Sequence, residues 1–169
     1  MKRTGKHKPT LRATAAAVLT VGALTYGPTA AAAPAPACTA AQLSTEGAQR
    51  IGSAQVRITV VNEGPSCLLR GFPTVAVAGL GSPARNSPLS VVPQGAAQSV
   101  ALAPGGQAST LLTFTPVLGE GDGSCASGAE PTVAPSLVIG VAGGHFQLAP
   151  DDGGDFALCG ETVRATAFR

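Results

Sequence analysis

Glycine and proline interrupt this chain so often that no helical repeat of apolar residues survives along it. There are 22 Gly and 14 Pro among 169 residues, about a fifth of the total. Proline fixes φ and lacks a backbone donor, while glycine admits turn conformations that other residues avoid, so both punctuate structure. The segments left between them are short. Over residues 53–62 (SAQVRITVVN), Ala54, Val56, Ile58 and Val60 alternate with Gln55, Arg57 and Thr59. That period of two puts one face in a core and the other in water. Further strands are expected at 43–45, 68–72, 74–78, 89–92, 99–102, 108–115, 136–142, 146–149, 156–159 and 163–168. Residues 79–88 and 117–135 read as loops. Short strands with turn signals every eight to twelve residues predict one all-β domain, an antiparallel β-sandwich.

The positive net charge belongs to one end. Lys2, Arg3, Lys6, Lys8 and Arg12 open the chain, and all nine acids lie at or beyond Glu46. Residues 13–24 (ATAAAVLTVGAL) form an apolar run too short to span a bilayer, and two A-x-A sites follow, Ala30-Ala31-Ala32, which is favoured, and Ala35-Pro36-Ala37. A cleaved signal peptide over 1–32 is therefore expected, then a short Ala/Pro linker (33–37) and the β-domain (38–169). The processed chain has six arginines against nine acids, a net of −3, and no lysine. It has no stable membrane span. Lipidation of Cys38 is disfavoured, because Ala35-Pro36-Ala37 is not a lipobox and three cysteines would be left over.

Cys38, Cys67, Cys125 and Cys159 contain no C-x-x-C pair, so neither a zinc knuckle nor a thioredoxin-like motif is suggested. In an exported chain an even set of spaced cysteines reads as two disulfides. Cys38 precedes the first expected strand and Cys67 follows the second. If those strands are antiparallel neighbours, Cys38–Cys67 and Cys125–Cys159 result; Cys38–Cys159 is the competing pairing.

Five stretches carry a resemblance to a known family: CTAAQLS (38–44), VVNEGPSCLLRGFPTVAV (60–77), ALAPGGQASTLLTF (101–114), Cys125, and LCG (158–160) with a final strand ending in Phe168. The specific part is Asn62, Gly64, Cys67, Leu69, Gly71, Phe72, Pro73 and Val75 at these spacings. The chain resembles the exported actinobacterial domain of unknown function 4232. That resemblance implies an immunoglobulin-like sandwich and export, and it implies no activity. The same residues also have structural roles to fill. Asn62 and Gly64 suit turns with positive φ, Gly71 a bend, Phe72 a core position and Pro73 an edge strand.

Catalytic and ligand-binding motifs are sparse. His145 is the one histidine of the processed chain and no G-x-S-x-G elbow accompanies it. Two acidic loops, Glu120-Gly-Asp122-Gly-Ser124 and Asp151-Asp152-Gly-Gly-Asp155, offer oxygens to calcium without matching an EF-hand, and read as solvated turns. They are equally poor carriers of a glycosidase carboxylate pair. Gly105-Gly106-Gln107-Ala108-Ser109 lacks the P-loop lysine, and scattered arginines with no tryptophan give no nucleic-acid surface.

The expected function is a secreted, non-enzymatic binding module of the extracellular space or cell envelope, without cofactor or metal. Its partner would be an extracellular or envelope protein or glycan, met through the loops at the sandwich ends. The alternative is a small protease inhibitor presenting residues 119–128 as a loop tethered at Cys125; an extracellular hydrolase is third.

Overall fold

The structure, a computed structural model, describes residues 33–119 and 123–169, so the expected signal peptide (1–32) lies outside the described residues. A 3-10 turn (Ala40–Gln42) leads into β1 (Leu43–Arg50), β2 (Gln55–Asn62), β3 (Cys67–Leu69), β4 (Thr74–Ala78), β5 (Asn86–Gln94) and β6 (Val100–Leu102). Then follow β7 (Gln107–Thr115), β8 (Thr132–Ala134), β9 (Ser136–Val141), β10 (Gly144–Leu148) and β11 (Phe156–Thr166). The domain is all-β, as the punctuation predicts.

The main sheet runs β1–β2–β7–β11–β5–β4–β9–β10, with β8 beside β11, while β3 and β6 form a small separate sheet. Residues 86–89 of β5 pair antiparallel with β4, and residues 90–94 pair parallel with β11. This parallel pair corrects the expectation of a wholly antiparallel sandwich; the sheet is mixed. It also explains why β5 is longer than the expected 89–92. Each half of β5 is paired on one side only, so Pro88 and Pro93 can turn their missing donors to the unpaired side.

The path is barrel-like because its two ends approach each other. Ala48 of β1 bridges Pro150, just past β10, and the Asp151 N–H donates to the Ala48 carbonyl at 3.1 Å. β1 extends past its expected end because Gly47, at φ +117°, absorbs a bulge between Thr45 and Ala48. Similarly, the two expected strands 156–159 and 163–168 are one strand, β11. Its register against β7 slips between Cys159 and Val163, where Gly160 takes φ +74°.

One core cluster draws on both halves of the sheet: Val56, Ile58, Leu112, Phe114, Leu158 and Val163 from one, Val75, Val77, Leu137, Ile139 and Leu148 from the other. Full burial of such a side chain contributes about 1.5–3 kcal/mol. A second cluster gathers Leu43, Val60, Leu69, Leu102, Val141 and Phe168 around Cys38 and Cys67.

Four motif residues act differently from expectation. Asn62 does not take positive φ; it ends β2 with its side chain fully buried. Its Nδ2 donates to the carbonyls of Pro65 (2.9 Å), Leu102 (3.1 Å) and Ala103 (3.2 Å), and its Oδ1 accepts from Gly64 N–H (3.0 Å). One amide thus ties two turns together. Gly64 is glycine for space, since a Cβ there would lie 2.8 Å from Gln42 Cγ. Phe72 is only half-buried, whereas Pro73 is buried and directly precedes the central strand β4. Gly71 does make the expected bend, at φ +103°.

Candidate functional site

Where β1 ends and β11 begins, the sheet leaves a solvent-open cavity of about 160 Å³. Val56, Phe114, Phe156 and Leu158 line it and belong to the main core cluster, while Arg50, Ser53, Gln55 and Asp155 supply polar groups. Local sequence explains each wall. The alternation of β2 and β7 turns Val56 and Phe114 inward. The Asp-Gly turn at 151–154, with Gly153 and Gly154 at positive φ, delivers Asp155 and Phe156 to the mouth.

Arg50 closes one side of this mouth. Its guanidinium lies over the Phe156 ring, 5.6 Å from the centroid. Nη2 donates to the Asp155 carbonyl, and Nε stands 3.5 Å from the Asp152 carboxylate. That ion pair is partly exposed and contributes little by itself; the ring contact and the backbone hydrogen bond do more.

The expected 117–135 loop contains β8, and its residues 117–119 and 123–131 border the same end. Leu118 and Ser124 exchange backbone hydrogen bonds (2.9 and 3.0 Å), and Cys125 is bonded to Cys159 with Cα atoms 5.6 Å apart. Val117 and Ala157 line the cavity; Leu118 follows Val117, Ile51 follows Arg50, and with Val133 they are 52%, 40% and 59% exposed. Val133 is placed there by its pairing with Ala157. Cys38 and Cys67 (Cα–Cα 4.9 Å) lie instead in the second cluster, among Leu43, Leu69 and Phe168. The pairs are those that antiparallel β1 and β2 favour.

The other singled-out residues are dispersed. His145 is exposed on β10, opposite Gly140 and beside Phe72 and Thr74. Glu120 and Asp122 lie outside the described residues, and Ser124 is held by the Leu118 pair. In the 151–155 loop Asp152 faces Arg50. Among the described residues no three His, Cys, Asp or Glu side chains converge as a metal-binding group. Nor is any helix among them long and apolar enough to cross a membrane. Sequence reasoning missed the Arg50–Asp155–Phe156 grouping. Arg50 and Asp155 are 105 positions apart and no motif links them; the local signals were an arginine ending a strand and a glycine-rich acidic turn.

No curated protein and no solved structure matches the chain. Both disulfides, the Asn62 junction and the cavity lie within residues 38–169, the span that matches the family described as Domain of unknown function (DUF4232), and the chain belongs to that family.

Proposed function

We propose that this chain is exported, loses residues 1–32, and works outside the cell or in its envelope as a non-catalytic binding module with an immunoglobulin-like sandwich. Two disulfides suit an oxidising compartment. A core shared by two sheet halves, with β5 passing between them, supports the sandwich reading. The observation that carries the binding role is the Arg50 end: a cavity floored by core aromatics, with exposed Ile51, Leu118 and Val133 next in the chain to, or paired with, its lining residues. Apolar side chains gathered at one end beside a stapled loop suit an interface with an envelope protein or glycan.

The test is photo-cross-linking in the producing cells, with the reactive residue at Val133 or, as a control, at Leu80, which is also exposed. A discrete adduct from Val133 and none from Leu80 is expected. Equal labelling from both positions, or none from Val133, rejects this end as the interface.

A second reading, protease inhibition, is favoured by the two attachments of the loop at Leu118–Ser124 and Cys125–Cys159. It requires stoichiometric, saturable loss of activity when a serine protease is mixed with the intact protein.

A further inference from the structure

We propose that the cavity beside Arg50 binds a free α-amino acid with an apolar side chain. The ligand carboxylate would meet Arg50, its ammonium Asp155, and its side chain would lie against Phe114 and Phe156. This rests on the reading of the Arg50 end as a binding surface and adds a ligand class to it.

Each part of that ligand answers to a separate observation. The first is size. An apolar-walled cavity of about 150 Å³ holds a benzene-sized molecule, and this one measures about 160 Å³. Its apolar walls Val56, Phe114, Phe156 and Leu158 are at most 6% exposed, so packing behind them holds the floor in place.

The second is the donor pattern of Arg50. A guanidinium has five N–H donors. Nη2 uses one on the Asp155 carbonyl and Nε faces Asp152. Among the described residues nothing else takes a donor from it, so Nη1 and the second Nη2 hydrogen remain. Adjacent hydrogens on the two Nη atoms form the fork that grips a carboxylate with two parallel bonds.

The third is Asp155, a residue of the same mouth whose carboxylate has no ion-pair partner among the described residues. A plain carboxylic acid would meet Arg50 but be repelled by the nearby Asp152 and Asp155. A plain amine would meet Asp155 but lie against the Arg50 charge. A zwitterion with both charged groups on one carbon satisfies both, and its apolar side chain occupies the space that neither charge uses.

The experiment is aromatic-resonance NMR on isotope-labelled protein with both disulfides formed. It is titrated with L-phenylalanine, phenethylamine and 3-phenylpropionate, three molecules with one body and different heads. Phenylalanine should bind at least ten-fold more tightly than either analogue, shifting Phe114 and Phe156. Arg50→Lys keeps the charge but loses the fork, and should bring phenylalanine down to the level of phenethylamine. Asp155→Asn should bring it to the level of 3-phenylpropionate, and Ala54→Phe, which fills the cavity, should abolish binding of all three. Equal affinities for the three probes on the unmodified protein, no binding, or shifts that spare Phe114 and Phe156 would overturn the proposal. Because the three-probe comparison needs no variant, misfolding of a variant cannot decide it. A Val133 adduct without phenylalanine binding removes this inference alone; phenylalanine binding without an adduct removes the macromolecular partner instead.

Discussion

Arg50 and Phe156 meet face to charge at 5.6 Å, joining the last residue of β1 to the first of β11. The same guanidinium holds the Asp155 carbonyl, so one side chain secures the place where the barrel-like sheet comes closest to closing. Arg50→Ala should lower stability by about 1–2 kcal/mol, through the lost ring contact and the lost hydrogen bond to the Asp155 carbonyl. Asp152→Ala removes only a partly exposed ion pair and should cost less than about 0.5 kcal/mol. Urea melts of the two variants check this; equal losses would mean that the ion pair, and not the ring, holds the seam.

Asn62 is the most sensitive polar residue of the fold. Asn62→Leu takes a partner from the Pro65 and Leu102 carbonyls and the Gly64 N–H in a largely buried setting, while the Ala103 carbonyl keeps its bond from Gly106 N–H (2.8 Å). Each unsatisfied buried group costs about 1–3 kcal/mol, with relaxation reducing the sum. A loss of roughly 3–5 kcal/mol is expected in chemical denaturation. Asn62→Asp should be no milder, because it replaces the donor with an acceptor facing three carbonyls.

Two glycines differ in what an added methyl would strike. At Gly144 a Cβ would lie 2.2 Å from Ala40 Cβ, a short side chain on a turn that cannot step aside. At Gly64 it would meet the flexible Gln42 side chain, which must then surrender its contacts with Thr39. Gly144→Ala should therefore cost about 2–3 kcal/mol and Gly64→Ala about 1 kcal/mol, the overpacking range. Thermal melts of the pair rank them; the reverse order would show that the 3-10 turn moves freely.

The two disulfides should separate functionally. By the loop-closure argument each contributes about 3–4 kcal/mol, closing separations of 29 and 34 residues. Cys67→Ser also puts a hydroxyl into a fully buried site among Leu69, Leu102 and Phe168, so it should cost more than Cys125→Ser. Cys125→Ser should instead speed hydrogen exchange and proteolysis across 123–131 while leaving β2 and β7 protected. Loss of protection throughout the sheet in that variant would contradict the assignment of this bond to the loop.

The sequence is most readable where period and burial coincide. Gln55 to Asn62 and Gln107 to Thr115 alternate cleanly because each has one face on the core and one in water. Their strands, and the cysteine pairs that depend on β1 and β2 lying together, follow from that pattern. Legibility fails where tertiary partners override local signals. Pro88 and Pro93 look like strand breakers until β5 is seen to change neighbours between them. Gly160 looks like an end of β11 and is a bulge within it. Asn62 and Gly64 have the composition of a turn, yet one serves by hydrogen bonds across 40 residues and the other by making room. The candidate site is less readable still, since Arg50 and Asp155 meet only through the closing of the sheet.

β11 follows in sequence every strand it joins: β5, β7 and β8 all precede it. It also supplies Phe156, Leu158, Val163 and Ala165 to the main core. While the chain is being synthesised, the earlier strands have no central partner and their apolar faces no lid. The domain therefore cannot lock before residue 166 or so has emerged. Until then the polypeptide stays threadable. It also stays exposed to aggregation for as long, which makes the timing of its last strand a matter for whichever chaperone or pore handles it.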